Sequence, residues 1–268
     1  MQVACIPVVV RRLEQKRGWA FAVGVVILKP FFLLTTKPEW RNGTKLPATG
    51  GCVVVLNHLS HVDPLTAAHF TYNHGRLPRY LAKSGLFKNK VLSYFLRSAG
   101  QIPVERLTRN AVGAYDAAVA AVRQGECVVV YPEGTITRDP DLWPMTGKSG
   151  AARIALETGC PVIPVGQWGA QQLLAPYAKK PDLFPRKKIV LLAGDPVDLS
   201  DLIEQERTPE VIQQATERIM AAITRLVEEI RGEKAPAERF DARRAGVSKI
   251  GNPNKARQSR RKTRRDAS

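Results

Sequence analysis

The chain has 268 residues, of which 44% are hydrophobic and only 4 are cysteine. This size and composition predict a packed core in one sizeable domain or two small ones, and they argue against a small disulfide-stabilised scaffold. The four cysteines form no CxxC pair and are expected to be buried thiols in a reducing compartment. The formal net charge of +17 indicates an anionic partner, such as nucleic acid, an anionic membrane or a phosphorylated substrate.

The first predicted element is an apolar segment near the N-terminus. Residues 18–35 read GWAFAVGVVILKPFFLLT, in which Lys29-Pro30 separates two apolar runs. A membrane-spanning helix needs about 20 uninterrupted apolar residues, and proline breaks a helix. Basic residues precede the run as in a signal peptide, but no small-x-small cleavage site follows it directly. We therefore expect residues 1–36 to form an interfacial membrane anchor, with a helix break at Lys29-Pro30; the alternative is a helix buried on the domain.

The chain from residue 37 to residue 231 alternates predicted strands with predicted helices. A polar loop over 37–48 comes first, and a long amphipathic helix that begins at Thr208-Pro209 comes last. Strands are predicted at 50–56, 78–84, 100–104, 126–132, 160–168 and 187–194, and further helices at 111–125 and 148–159. This order predicts an α/β catalytic domain with a mixed, mostly parallel central sheet flanked by helices.

Two basic segments of the chain suggest contact with an anionic surface. Residues 76–97 interleave Arg and Lys with Leu, Phe and Tyr, as a surface resting on a membrane would; the alternative is a solvated helix face. Residues 231–268 contain 13 Lys or Arg and 4 Asp or Glu, a net charge of +9. Because residues 232–268 lack apolar periodicity, we expect them to form a disordered basic tail.

The stretch NHLSHVDP at residues 57–64 follows a predicted buried strand, and three interpretations apply to it. Asp63 before Pro64 is typical of a helix N-cap. His58, His61 and Asp63 could contribute to a metal site, although further ligands at zinc-like spacing are lacking. Alternatively, Asp63 could orient His58 as a general base that deprotonates an alcohol. No GxSxG motif supplies a serine nucleophile, so the substrate would provide the attacking hydroxyl.

Two further stretches with charged residues follow predicted strands, where the sites of α/β sheets gather. IPVERLTR at 102–109 places Arg106 at a strand end, where an arginine can bind a phosphate with two donors; a surface ion pair of the preceding glutamate is the alternative. YPEGTITR at 131–138 combines a glycine, a hydroxyl and Arg138, which suits an anion, or else it is an ordinary turn.

Together these stretches form an ordered pattern of four blocks: NHxxxxD at 57–63, GxIPVER at 100–106, YPEGT at 131–135 and CPVIPV at 160–165. The pattern resembles that of the glycerolipid acyltransferase family, and in particular the 1-acylglycerol-3-phosphate acyltransferases, over roughly residues 40–200. The resemblance implies that His58 is the general base, Asp63 its orienting partner, and Arg106 the residue that holds the phosphate of the acceptor.

The resemblance also assigns residues to the acceptor site. It implies that Glu133, Gly134 and Thr135 shape this site and that Lys148 matches a basic position of the family. The family often has Arg-Ser after Glu-Gly-Thr, whereas this chain has Ile-Thr, so the charge would come from Arg138 or Lys148. Glutamate also replaces the more frequent aspartate before Arg106.

The activity implied by the resemblance is acyl transfer from acyl-CoA to the free hydroxyl of lysophosphatidic acid, without a metal, a cofactor or a covalent intermediate. The same chemistry on glycerol 3-phosphate, another lysophospholipid or a glycolipid is the alternative. We expect a peripheral or monotopic enzyme on the cytoplasmic face of the cell membrane. Nucleic acid binding, suggested by SRRKTRR at 259–265, lacks an accompanying recognition motif.

Overall fold

The computed structural model describes residues 11–104 and 111–248 of the chain. The predicted residue Arg106, the first ten residues of the predicted anchor and residues 249–268 of the predicted tail lie outside the described residues. Strands of the described part are β1 (Thr36–Arg41), β2 (Cys52–Leu56), β3 (Pro78–Lys83), β4 (Ile102–Val104), β5 (Cys127–Val130), β6 (Val162–Trp168) and β7 (Lys187–Ala193). Helices are α1 (Trp19–Thr35), α2 (Asp63–Asn73), α3 (Lys90–Ser98), α4 (Ala111–Arg123), α5 (Gly150–Thr158), α6 (Ala170–Leu173), α7 (Ser200–Ile203) and α8 (Pro209–Arg231).

The strands form one sheet in the order β1-β7-β6-β2-β5-β3-β4. Neighbouring strands are parallel except β6 and β7, which are antiparallel. The predicted α/β fold with a mixed, mostly parallel sheet is therefore confirmed. The three strands β6, β2 and β5 lie at its centre, so the segments that follow them meet at one edge of the sheet.

The valine run is apolar throughout because both faces of strand β2 are buried. Its side chains alternate between two hydrophobic clusters, with Val53 and Val55 on one face and Cys52, Val54 and Leu56 on the other. Helices α4, α5 and α8 cover the first face, and α1 and α2 contribute to the second. The loop that begins at residue 57 thus leaves a strand that is buried on both sides, which gives the site a rigid base.

One strand was not predicted from the sequence. Strand β1 begins at the last residue of the predicted anchor and continues into the segment 37–48 that was expected to be a polar loop, and it pairs with β7 in parallel at the edge of the sheet. Its sequence, TKPEWR, is mostly polar because only one of its sides meets another strand. Glu39 forms an ion pair with Lys188 of β7, with 2.7 Å between the charged atoms.

Helix α1 runs without interruption through Pro30, so the predicted break at Lys29-Pro30 is wrong. Proline cannot donate a hydrogen bond to the carbonyl of Val26, but Val26 and Pro30 are both exposed, so solvent can satisfy that carbonyl. The helix buries Ala20 and Phe32 against the domain. Among the described residues, no helix combines the length and the apolar character needed to cross a membrane.

Helix α1 nevertheless presents many large apolar side chains to solvent. The most exposed are Val26 at 71%, Leu34 at 68% and Ile27 at 63%. At its N-terminal end, the Trp19 ring lies 5.7 Å from that of Tyr94 in α3, which is itself 65% exposed. We call the outward sides of α1 and α3 the apolar face.

Two arginines of the segment 76–97 do not belong to a lipid-facing surface. Arg76 is 1% exposed, and its guanidinium donates to the carbonyls of Pro47, Gly50 and Gly125, which ties together the loops before β2 and β5. Arg79 pairs with Glu126. Among the side chains that the structure describes in this segment, the exposed cations lie around α3 and are Lys88, Lys90 and Arg97.

The beginning of the predicted tail is packed on the domain, which differs from the disorder expected for residues 232–248. These residues form turns in which Ala242 is fully buried and the Phe240 carbonyl accepts a hydrogen bond from the Thr146 amide. Arg239 pairs with Glu217 of α8. A few such anchoring contacts hold a segment that has no helical or strand periodicity.

Candidate active site

His58 and Asp63 are in direct contact at the carboxyl end of β2. The His58 Nδ1 atom lies 2.8 Å from Asp63 Oδ2. The Asp63 side chain is fully buried, whereas 16% of the His58 side chain is exposed. A carboxylate on Nδ1 fixes the tautomer in which Nε2 can accept a proton, so this pair can act as a general base.

Asp63 also organises the loop between β2 and α2. Its Oδ2 atom accepts hydrogen bonds from the amides of Leu59, at 2.5 Å, and Ser60, at 2.7 Å. The predicted N-cap role is not observed, because the N-cap residue of α2 is Val62 and the carboxylate reaches back into the loop. An aspartate at position 63 therefore holds the loop as well as orienting the imidazole of His58.

The segment after β5 holds the main chain of His58 from the other side. Glu133 Oε1 accepts a hydrogen bond from the His58 amide, at 2.8 Å, and the Thr137 amide donates to the His58 carbonyl, also at 2.8 Å. The Tyr131 ring lies 4.4 Å from the imidazole, at 30° to its plane. The backbone and the ring of His58 are thus fixed by one neighbouring loop.

Glu133 supports the His58 loop from a buried position, and its part in shaping the acceptor site stays a prediction. It is 1% exposed, and its second carboxylate oxygen accepts a hydrogen bond from the Met145 amide at 3.1 Å. Burial raises the pKa of Glu133 to about 8, against the lowering effect of the two backbone donors. Glu133 therefore joins the His58 loop to the chain around residue 145.

Gly134 and Lys148 are brought together, as the predicted acceptor site requires. Gly134 has a φ of 67°, and its amide donates to the Tyr131 carbonyl in a tight turn. The Lys148 amide donates to the Pro132 carbonyl, and the Lys148 side chain extends over Gly134. Thr135 is half-buried beside them. An ammonium group over a glycine turn can attract an anion.

Arg138 is placed at the same edge, next to a residue that the sequence did not indicate. Its guanidinium carbon lies 4.5 Å from the centre of the Tyr177 ring, a cation–π contact. Arg138 is 9% exposed, and burial lowers its pKa. Tyr177 also meets His61 edge to face, with 5.9 Å between ring centres.

His61 is exposed as a whole residue, but its ring is partly desolvated by its neighbours, and this desolvation, followed by the nearby His58, lowers its pKa. In the part of the chain that the structure describes, no group of three His, Cys, Asp or Glu side chains is arranged to hold a metal ion.

Sequence reasoning missed one buried polar pair beneath the loop. The Asn57 side chain exchanges hydrogen bonds with the main chain of Gln167 at 2.9 and 3.0 Å, and the Gln167 side-chain amide donates to the Asn57 main-chain carbonyl at 2.6 Å. Both residues are fully buried. The sequence signal that could have indicated this pair is the glutamine near the end of the apolar run of β6. Tyr177, which was also missed, lies in an irregular segment that shows no sequence pattern.

Residues 37–168 match the family model described as Acyltransferase. The chain is 32% identical over 151 residues to a chloroplastic 1-acyl-sn-glycerol-3-phosphate acyltransferase of Brassica napus, which covers 56% of this chain but only 41% of the Brassica protein. It is 29% identical over 184 residues to the 1-acyl-sn-glycerol-3-phosphate acyltransferase of Bacillus subtilis, covering 66% and 84% of the two chains. Its fold is similar to the crystal structure of the 1-acyl-sn-glycerophosphate acyltransferase of Thermotoga maritima, with a TM-score of 0.58 and 24% identity over 78% of each chain.

Proposed function

The chain belongs to the acyltransferase family, and from that premise we propose that it moves a fatty acyl group from acyl-CoA to the free hydroxyl of lysophosphatidic acid, giving phosphatidic acid. The observation that carries the proposal is the His58–Asp63 pair, with 2.8 Å between Nδ1 and Oδ2. The names of the Brassica and Bacillus relatives support lysophosphatidic acid as the acceptor.

In the proposed reaction, Nε2 of His58 removes the proton of the acceptor hydroxyl as its oxygen attacks the thioester carbonyl. The tetrahedral intermediate then collapses, the carbon–sulfur bond breaks, and the CoA thiolate takes up the proton held by the imidazole. Asp63 keeps Nδ1 protonated and offsets the charge of the imidazolium. Positioning the two substrates side by side supplies much of the rate, and no group of the enzyme becomes acylated.

Cationic side chains support a phosphorylated acceptor. Lys148 extends over Gly134, and Arg138 lies two residues beyond Ile136 in the segment that binds the His58 main chain. We propose that these two residues bind the phosphate, because a guanidinium and an ammonium are the groups that bind phosphate most strongly. Arg106 remains a proposed third phosphate ligand on the strength of the motif.

The apolar face supports a peripheral position on an anionic membrane. Val26, Ile27 and Leu34 would lie at the level of the acyl chains, while Lys88 and Lys90 near the start of α3 would meet anionic headgroups. Both substrates have long chains, so an enzyme resting on the membrane could take them from the lipid phase. The cytoplasmic face is proposed because acyl-CoA is the proposed donor.

The test is a panel of acceptors and donors with the purified full-length chain. Lysophosphatidic acid, glycerol 3-phosphate, a lysophosphatidylcholine and monoacylglycerol are each offered with acyl-CoA and with acylated acyl carrier protein, and products are identified by mass spectrometry. The proposal expects lysophosphatidic acid with acyl-CoA to give the highest kcat/KM. A preference for glycerol 3-phosphate or a neutral lipid would overturn the acceptor, and strict dependence on the carrier protein would overturn the donor.

A further inference from the structure

The segment after α6 packs directly against the two loops that form the site. The Ser60 hydroxyl, in the loop between His58 and Asp63, donates to the Leu174 carbonyl at 2.6 Å. Three residues later, the Tyr177 hydroxyl donates to the Ile136 carbonyl at 3.2 Å. Residues 174–177 therefore contact both the His58 loop and the segment that follows Glu133 and Gly134.

Tyr177 is held in this place despite an unfavourable backbone. Its φ of 61° lies in the left-handed region, which a bulky residue other than glycine rarely adopts. Such conformations persist where the surrounding contacts outweigh the strain, and they cluster at functional sites. Here the contacts are the hydrogen bond to Ile136, the edge of His61, and Arg138 over the ring.

The ring of Tyr177 faces a guanidinium that is largely removed from water. Arg138 is 9% exposed, and its guanidinium carbon lies 4.5 Å from the ring centre. The electron-rich face of an aromatic ring partly replaces the lost hydration of a cation. This contact uses the face of the guanidinium, whereas the N–H groups that bind phosphate lie in its plane.

We propose that Tyr177 is a positioning residue that sets acceptor specificity, because it holds Arg138 in the orientation that binds the acceptor's phosphate. The inference rests on the proposed function, because its kinetic test measures the proposed acyl transfer. In this proposal Tyr177 acts through Arg138 and not on the reacting hydroxyl or the thioester. Its loss therefore weakens binding of a phosphorylated acceptor and leaves recognition of the acyl donor as it was.

The experiment compares Tyr177→Asn with Tyr177→Phe in the full-length chain. Asparagine tolerates the left-handed backbone, so this variant removes the ring without adding strain. Phenylalanine keeps the ring and loses only the hydrogen bond to Ile136. Each variant is assayed with lysophosphatidic acid, with monoacylglycerol of the same chain length, which lacks the phosphate, and with varied acyl-CoA.

Tyr177→Asn is expected to raise the KM for lysophosphatidic acid about tenfold, as the loss of a desolvated cation–π contact would, while the KM for acyl-CoA changes less than about twofold. Monoacylglycerol turnover is expected to change in the same small range, and Tyr177→Phe should retain most of the affinity. Equal losses for the two acceptors, or equal losses in the two variants, would overturn the inference.

A second readout separates this inference from the proposed function. Binding of glycerol 3-phosphate, which carries the phosphate without the acyl chain, is measured by calorimetry and needs no turnover. A Kd that rises about tenfold in Tyr177→Asn supports the inference, and an unchanged Kd overturns it. A wild-type chain that fails to acylate lysophosphatidic acid overturns the proposed acceptor instead, whatever the calorimetry gives.

Discussion

Replacing Gly134 by alanine tests whether the Lys148 ammonium group belongs to the acceptor site. The added Cβ would lie 2.7 Å from Lys148 Nζ and 2.9 Å from Cε. Ordinary contact needs about 3.5 Å, so the ammonium group must move by roughly 1 Å, which a flexible side chain can do. The left-handed φ of 67° adds about 1–2 kcal/mol of backbone strain in the folded state.

The expected kinetic effect follows from the displaced charge. With an effective dielectric constant of about 20, moving a unit charge from about 4 to about 5 Å from a phosphate weakens their attraction by about 1 kcal/mol. This corresponds to about a fivefold rise in the KM for lysophosphatidic acid. The kcat is expected to change little, because the proposed proton transfer is carried out by His58 and Asp63 and not by Lys148.

Gly159→Ala is the matched control for the backbone strain. Gly159 ends α5 with a φ of 64°, and nothing lies within 4 Å of a Cβ added there. Urea denaturation should therefore show a loss of about 1–2 kcal/mol for both variants, while only Gly134→Ala raises the KM for the acceptor. Equal acceptor KM values in the two variants would refute the placement of Lys148 at the acceptor site.

Three further predictions concern Asp63, Glu133 and the apolar face. Asp63→Asn should lower kcat about 10²–10⁴-fold in initial-rate assays, because the imidazolium of His58 loses its negative partner; a wild-type kcat would contradict this. Because the pKa of Glu133 is raised from 4.5 to about 8, the folded state keeps a proton that the unfolded state releases, so between these pH values Glu133 should lower the unfolding free energy by about 1.4 kcal/mol per pH unit. In urea titrations the Glu133→Gln variant should lack this pH dependence of the unfolding free energy. Identical pH slopes in the variant and the wild type would exclude the contribution of Glu133. Combining Val26→Asp with Leu34→Asp should reduce co-sedimentation with anionic vesicles at least about tenfold, since two charges would enter the apolar face; unchanged co-sedimentation would remove α1 from the membrane contact.

The sequence predicted most of the fold because its strongest signals are local. The valine run of β2 is apolar on both faces, and the long helix α8 begins where Thr208 accepts a hydrogen bond from the Val211 amide and Pro209 takes the first turn. Strand β1 was missed because its pairing with β7 depends on residues about 150 positions away. Helix α1 continues through Pro30 because the lost hydrogen bond falls on its exposed side.

The candidate site was predictable only in part. The contact between His58 and Asp63 follows from a short loop, which motif spacing can indicate. The burial of Glu133 could not be predicted, because it depends on how the segment around Met145 folds back over it. Tyr177 and Gln167 come from segments more than 100 residues beyond His58, and only the folded sheet brings them to its loop.

The most direct test of the account is the turnover of His58→Ala with acyl-CoA and lysophosphatidic acid, measured as CoA release and as phosphatidic acid formed. The variant should lose some stability with the imidazole but remain folded in a urea titration, because the His58 main chain keeps its bonds to Glu133 and Thr137 and Asp63 keeps those to Leu59 and Ser60. Its kcat should fall about 10²–10⁴-fold, the usual contribution of a general base. A folded His58→Ala variant with near wild-type turnover would contradict the assignment of the His58–Asp63 pair.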